Sequence, residues 1–188
     1  MPLSFTLEEK DKACLAALAK QSIQSAFDGA SAAPELPTTF AGDSPLRRNL
    51  GVFVTLSLRG RLRGCIGAII GREPLYINVW RMARAAAFED GRFRPLTPDE
   101  WRNCEVDISV LDELTPCPDP EKVEIGRHGL VLQYGGRSGV FLPQVPVEQG
   151  WDRLRYLDHL CLKAGVPPGA WRKPEARLYW YEAFVFKV

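Results

Sequence analysis

Two β-hairpins with glycine at their turns constrain this chain most, because each opens the same series of elements. The first spans 51–70 and turns at Arg59-Gly60-Arg61, between β-branched and aromatic residues. The second is Gly129–Leu142 and turns at Gly135-Gly136. A helix, a Trp-Arg pair and a strand follow each one, with Trp101-Arg102 answering Trp171-Arg172. The offset shrinks from about 78 residues at the hairpins to 70 at the Trp-Arg pairs, which describes a diverged hairpin-helix-strand duplication. The fold class implied is α+β, with two packed lobes of mainly antiparallel sheet near residues 46–115 and 121–188. At 188 residues and 46% hydrophobic, the chain can bury a full core in each lobe.

In chain order, residues 6–29 read as an amphipathic helix opened by a Thr6/Glu9 capping box, with Cys14 in its apolar stripe. Residues 30–50, broken by Pro34, Pro37, Gly42 and Pro45, read as a connector along the surface. Leu75–Glu89 reads as a helix, 90–96 as a surface loop, and Thr97 as the cap of a short helical turn. Cys104–Leu111 alternates as a strand. Pro116–Pro120 reads as a rigid connector, Val147–Ala164 as one helix and Ala176–Phe186 as one final strand.

The chemistry concentrates at Leu62-Arg63-Gly64-Cys65-Ile66-Gly67, where a thiol stands between two glycines and close to arginines. Nearby guanidinium groups favour a thiolate. Strand cysteines are also small buried hydrophobes, and strand glycines often mark bulges. Net charge is only +1, yet 47–102 holds eleven arginines, no lysine and five acids, a local +6. An arginine-rich face suits carboxylate or phosphate, so a nucleotide or RNA ligand is one expectation and a solvated, ion-paired surface the other. Of the two histidines, His159 falls inside a helical pattern, and His128 stands at the entrance of the second hairpin. A Cys65 nucleophile with His128 as base would need the two hairpins to face each other. In that arrangement Arg63 holds an anionic group, and backbone amides near Gly64 and Gly67 donate to an oxyanion; in the arginine-rich binding reading Arg61 and Arg63 together are the anion-binding candidates. The Gln144 amide either orients a ligand or caps the following helix. The five cysteines show no Cys-x-x-Cys pair, so no metal or iron–sulfur site is expected and a reducing, cytoplasmic setting is. No apolar run suggests a membrane span.

The hexapeptide resembles the signature of the AMMECR-domain family, whose prokaryotic members are called protein A of the AmmeMemoRadiSam system. Ordered companions extend the resemblance: Asp90 with Arg92-Phe93 and Pro95-Leu96, His128-Gly129-Leu130, Leu142-Pro143-Gln144-Val145, Gly150-Trp151 and Lys163-Ala164-Gly165. Gly91 departs from the pattern, where proline separates the Asp and Arg. The resemblance implies a single AMMECR-like domain over 1–188 with two lobes, and Asp90 and Arg92 as further ligand-binding candidates. It implies Memo-like and radical S-adenosylmethionine proteins as partners, whose cofactors belong to them and not to this chain. It implies no reaction. A binding accessory and a cysteine-dependent enzyme acting on an anionic substrate are the two resulting expectations.

Overall fold

A computed structural model describes residues 4–29, 32, 35–40 and 42–188. The chain divides into two units. One runs to Leu111 and takes back Phe184–Val188; the other is Asp112–Ala183.

In the first unit, helix α1 (Glu9–Phe27) precedes the hairpin of β1 (Gly51–Leu58) and β2 (Arg61–Ala68). Helix α2 (Leu75–Phe88), the short α3 (Pro98–Trp101) and β3 (Cys104–Leu111) follow. Strand alternation sends Val52, Val54, Leu56, Val106, Ile108 and Val110 to one face, fully buried in a core shared with Leu15 and Ile23 of α1 and Val79 and Ala83 of α2. Burying each such side chain contributes roughly 1.5–3 kcal/mol. The other face carries Phe53, Thr55, Cys65, Glu105 and Asp107.

The second unit holds β4 (Thr115–Pro116), β5 (Gly129–Tyr134), β6 (Arg137–Phe141), α4 (Gln144–Glu148), α5 (Arg153–Lys163) and β7 (Arg177–Tyr181). Leu130, Leu132, Tyr156, Leu157 and Leu160 form its separate core. The last strand, β8 (Ala183–Lys187), joins the first sheet.

The sheets follow one plan, β2-β1-β3-β8 and β6-β5-β7-β4. In each, the hairpin's first strand is central, and the strand after the helix pairs with it antiparallel. A strand from outside the repeat closes the edge. The α+β fold with antiparallel sheets is therefore as expected, but five local readings are corrected. Helix α1 starts at Glu9, not Thr6, because the Asp11 carboxylate accepts the Glu8 N–H at 2.9 Å. The connector supplies Leu36, Phe40, Leu46 and Leu50 to the core and is not a surface strap; its Pro34 lies outside the described residues. Thr115–Pro116 is a short edge strand, a place that tolerates proline. The helix expected over 147–164 is two helices, separated where Gly150 takes φ 64°. The final strand divides at Glu182, whose carbonyl accepts the Asp112 N–H, so its halves serve different sheets.

Candidate functional site

β2 is the outer strand of its sheet, and the hexapeptide lies on it. Backbone groups alternate sides along a strand, so Gly64 faces β1 while Cys65 and Gly67 face outward. The outward groups of Cys65 are taken up by a loop instead of a strand. Asp90 Oδ2 accepts the Cys65 N–H at 2.9 Å, and Arg92 Nη2 donates to the Cys65 carbonyl at 3.2 Å. Asp90 and Arg92 also pair with each other at 2.9 and 2.7 Å. Asp90 is only 6% exposed, so the loop expected at the surface buries its one carboxylate. The Arg92 guanidinium, with the N–H groups of Cys65 and Arg92, holds that carboxyl well below the usual range.

Arg63 is the extra residue of a bulge. Leu56 pairs with Gly64 and Ser57 with Leu62, leaving Arg63 between them unmatched. Its side chain, 11% exposed, donates from Nε and Nη2 to the two Glu100 oxygens at 3.0 and 2.9 Å. Nη2 also donates to the Arg94 carbonyl at 2.9 Å, and the guanidinium lies 5.7 Å from the Phe93 ring centre. Glu100 in turn accepts the Thr97 N–H at 3.0 Å. The Arg63 hydrogen bond is the largest influence drawing the Glu100 carboxyl down to about 2. A folded-state value below the usual 4.5 means the stabilisation is complete above that pH and is lost as pH falls toward 2. Chemical denaturation from pH 5 to 2.5 should thus cost the wild type about 1 kcal/mol more than Glu100→Gln, after discounting for the partly exposed carboxylate. Parallel stability curves would refute the pairing.

The glycines serve packing. A Cβ on Gly64 would stand 2.1 Å from the Ala86 carbonyl oxygen of α2, and one on Gly67 would stand 2.3 Å from the Phe53 ring. The Gly64 amide belongs to the β1–β2 ladder and is no oxyanion donor, whereas the Gly67 amide points outward. The Cys65 thiol is half-buried on the face turned away from α1 and α2, where Thr55 Oγ1 donates to Sγ at 3.2 Å. At the hairpin tip, Arg59 and Gly60 take φ 52° and 72°, the signs of a twisted two-residue turn. Arg59 and Arg61 are exposed and without an acid partner among the described residues. They border an open depression of about 480 Å³ with Leu58, Leu62 and Arg63, and Leu62 is 46% exposed.

His128 belongs to the second unit, Cys65 to the first. His128 is 6% exposed, with its ring 4.5 Å from that of Trp180. Its Nδ1 accepts the Glu124 N–H at 3.0 Å. Burial, then the neighbouring Arg127, pushes its pKa down and keeps the ring neutral. A neutral imidazole accepting at Nδ1 carries its proton on Nε2, so its one lone pair is already engaged and it offers none to a nucleophile. Its position fastens the turn before β5. Gln144 is the first residue of α4, whose cap position is Pro143, so the amide is not a cap; its Oε1 is buried without a hydrogen-bond partner among the described residues. Among the described residues, no group of three or more His, Cys, Asp or Glu is placed to hold a metal ion, and no helix is long and apolar enough to cross a membrane. Sequence reasoning missed Glu100 and Thr55 as neighbours of the hexapeptide. Strand pairing could have placed Thr55, but the 37-residue separation of Arg63 and Glu100 leaves no local signal.

Comparison with known proteins agrees over nearly the whole chain. Protein MK0488 of Methanopyrus kandleri is 40% identical, over 97% of this chain and 90% of that protein. Protein NEQ441 of Nanoarchaeum equitans is 36% identical, over 92% and 98% respectively. The crystal structure of the uncharacterized protein PH0010 from Pyrococcus horikoshii superposes with a TM-score of 0.86 at 35% identity, covering 97% of this chain and 94% of its own. With the AMMECR1 family model matching residues 16–186, the chain belongs to the AMMECR1 family.

Proposed function

We propose that this chain is a binding accessory, whose first hairpin presents an arginine tip to an anionic ligand or an acidic partner surface. The observation that carries the reading is how the arginines divide. Arg63 and Arg92 are paired with Glu100 and Asp90 and tie the edge strand to the loop beside it, while Arg59 and Arg61 are exposed at the hairpin tip beside the exposed Leu62. Exposed guanidinium groups without acid partners retain their full attraction for carboxylate or phosphate. Memo-like and radical S-adenosylmethionine proteins are the partner classes implied by the family resemblance, and a nucleotide or RNA is the ligand class implied by the charge. Arg59→Asn/Arg61→Glu, with asparagine chosen to tolerate the left-handed turn, should weaken binding about tenfold in whichever probe the wild type retains. The probes are ATP, poly(U) RNA and the two partner proteins, measured by calorimetry at 50 and 300 mM salt. Unchanged affinity for every retained probe would overturn the reading.

A second reading, cysteine-dependent chemistry at Cys65, is favoured by the Asp90–Arg92 clamp. The pair grips both backbone groups of that one residue and leaves its sulfur, among the described residues, bonded only to the Thr55 hydroxyl.

A further inference from the structure

Past the Cys65 clamp, β2 has one further pair of backbone groups on its outer side, the N–H and carbonyl of Gly67. The Cys65 groups bond outward to Asp90 and Arg92, and Gly67 lies two residues on in the same β1–β2 register, so its groups point the same way. No described residue bonds to them. The outer strand is thus closed by a loop at Cys65 and open at Gly67. A depression of about 540 Å³ begins at the next residue, Ala68, and extends to α2. Ala68, Ile70 and Met82 give it an apolar lining, and Ile70 is 65% exposed. Glu73 and Arg81 line it too, and both Glu73 oxygens accept from Arg81 Nη1 at 3.0 Å. Arg72, the remaining charge of the lining, is exposed and has no acid partner among the described residues.

We propose that the Gly67 edge and this depression together bind an extended, acidic segment of a partner protein as an added strand. A peptide residue opposite Gly67 accepts its N–H and donates to its carbonyl, the antiparallel exchange that β1 already makes with β2 and β3. Alternation places the Ala68 side chain on the same side as Gly64, which abuts α2 at Ala86. The peptide residue opposite Ala68 therefore turns its side chain toward α2 and the depression, where an aliphatic group meets Ile70 and Met82. An acid two residues further along the peptide lies on that same face and answers Arg72, whose charge nothing else offsets. The Asp90–Arg92 pair occupies the place of a strand at Cys65, so the added strand is short and extends only on the Gly67 side. This site lies at the opposite end of β2 from the arginine tip and is independent of it.

The probe is a fluorescein-labelled pentapeptide, Glu-Val-Ile-Val-Glu, whose isoleucine shares a face with both acids. Binding to the full chain is followed by fluorescence anisotropy. Methylating both valine nitrogens removes the donor to Gly67 without altering the protein, and should weaken binding about tenfold. Arg72→Glu, a change at an exposed side chain, should weaken it about tenfold and favour Lys-Val-Ile-Val-Lys instead. Arg59→Asn/Arg61→Glu should leave the affinity within about twofold. No binding of the acidic peptide, or equal binding of its methylated form, would overturn the added strand. Affinity lost in Arg59→Asn/Arg61→Glu but kept in Arg72→Glu would also overturn it, by placing the peptide at the hairpin tip.

Discussion

Gly64→Ala is expected to destabilise the first unit by about 3–4 kcal/mol and to lower its melting temperature by about 10 °C. The added Cβ would lie 2.1 Å from the Ala86 carbonyl oxygen and 3.1 Å from its carbon. Both belong to the backbone of α2, so no rotamer change relieves the overlap. The helix would have to lift from β2 and draw Val79 and Ala83 away from Val54 and Leu56, all of which are fully buried. Gly60→Ala provides the contrast. Nothing lies within 4 Å of its Cβ position, and its φ of 72° alone is unfavourable, at about 1 kcal/mol. Urea melts of the two variants should therefore differ by at least 2 kcal/mol. Equal losses would mean that α2 does not approach the strand closely. The second hairpin uses the same device: a Cβ on Gly139 would stand 2.6 Å from the Ala164 nitrogen at the end of α5.

Gly64 and Gly139 also show which parts of the fold were legible. Hairpins, turns and the strand 104–111 announced themselves through alternation and turn glycines, which are local signals, and so did the repeated order of elements. The break at Gly150 and the division at Glu182 did not. A single glycine is compatible with a continuing helix, and residues 177–187 contain neither glycine nor proline to interrupt a strand. What separates β7 from β8 is which sheet each half joins, and that is decided by partners far away in sequence. The site behaved in the same way. The hexapeptide marks the centre of interest in the sequence, but residue type alone makes Arg63, Gly64, Gly67, Asp90 and Arg92 look like ligand groups. In the structure Arg63, Asp90 and Arg92 bond within the protein, and the two glycines admit Ala86 and Phe53. Residue type reveals that a guanidinium seeks an anion; it does not reveal that Glu100 is already there.

Arg63→Ala should cost about 2–3 kcal/mol and accelerate amide exchange over 93–100, because one side chain ties that segment to the edge strand. It closes two hydrogen bonds to Glu100 and one to the Arg94 carbonyl, and it lies over Phe93. The second hairpin shows what this connection requires. There Leu132 pairs with Gly139 and Gln133 with Ser138 in unbroken register, whereas in the first hairpin Leu56 pairs with Gly64 and Ser57 with Leu62, skipping Arg63. The first hairpin thus differs by one inserted residue, and that residue is Arg63. The bulge turns its side chain toward α3 while leaving Gly64 in register against α2. If the loss in Arg63→Ala arises from stranding the Glu100 carboxylate, Arg63→Met/Glu100→Met should recover at least half of it, since removing both charges leaves neither orphaned. Losses that simply add would mean that the two side chains act separately. Recovered stability with exchange over 93–100 still fast would assign the pair chiefly to holding the loop that carries the Cys65 clamp in place.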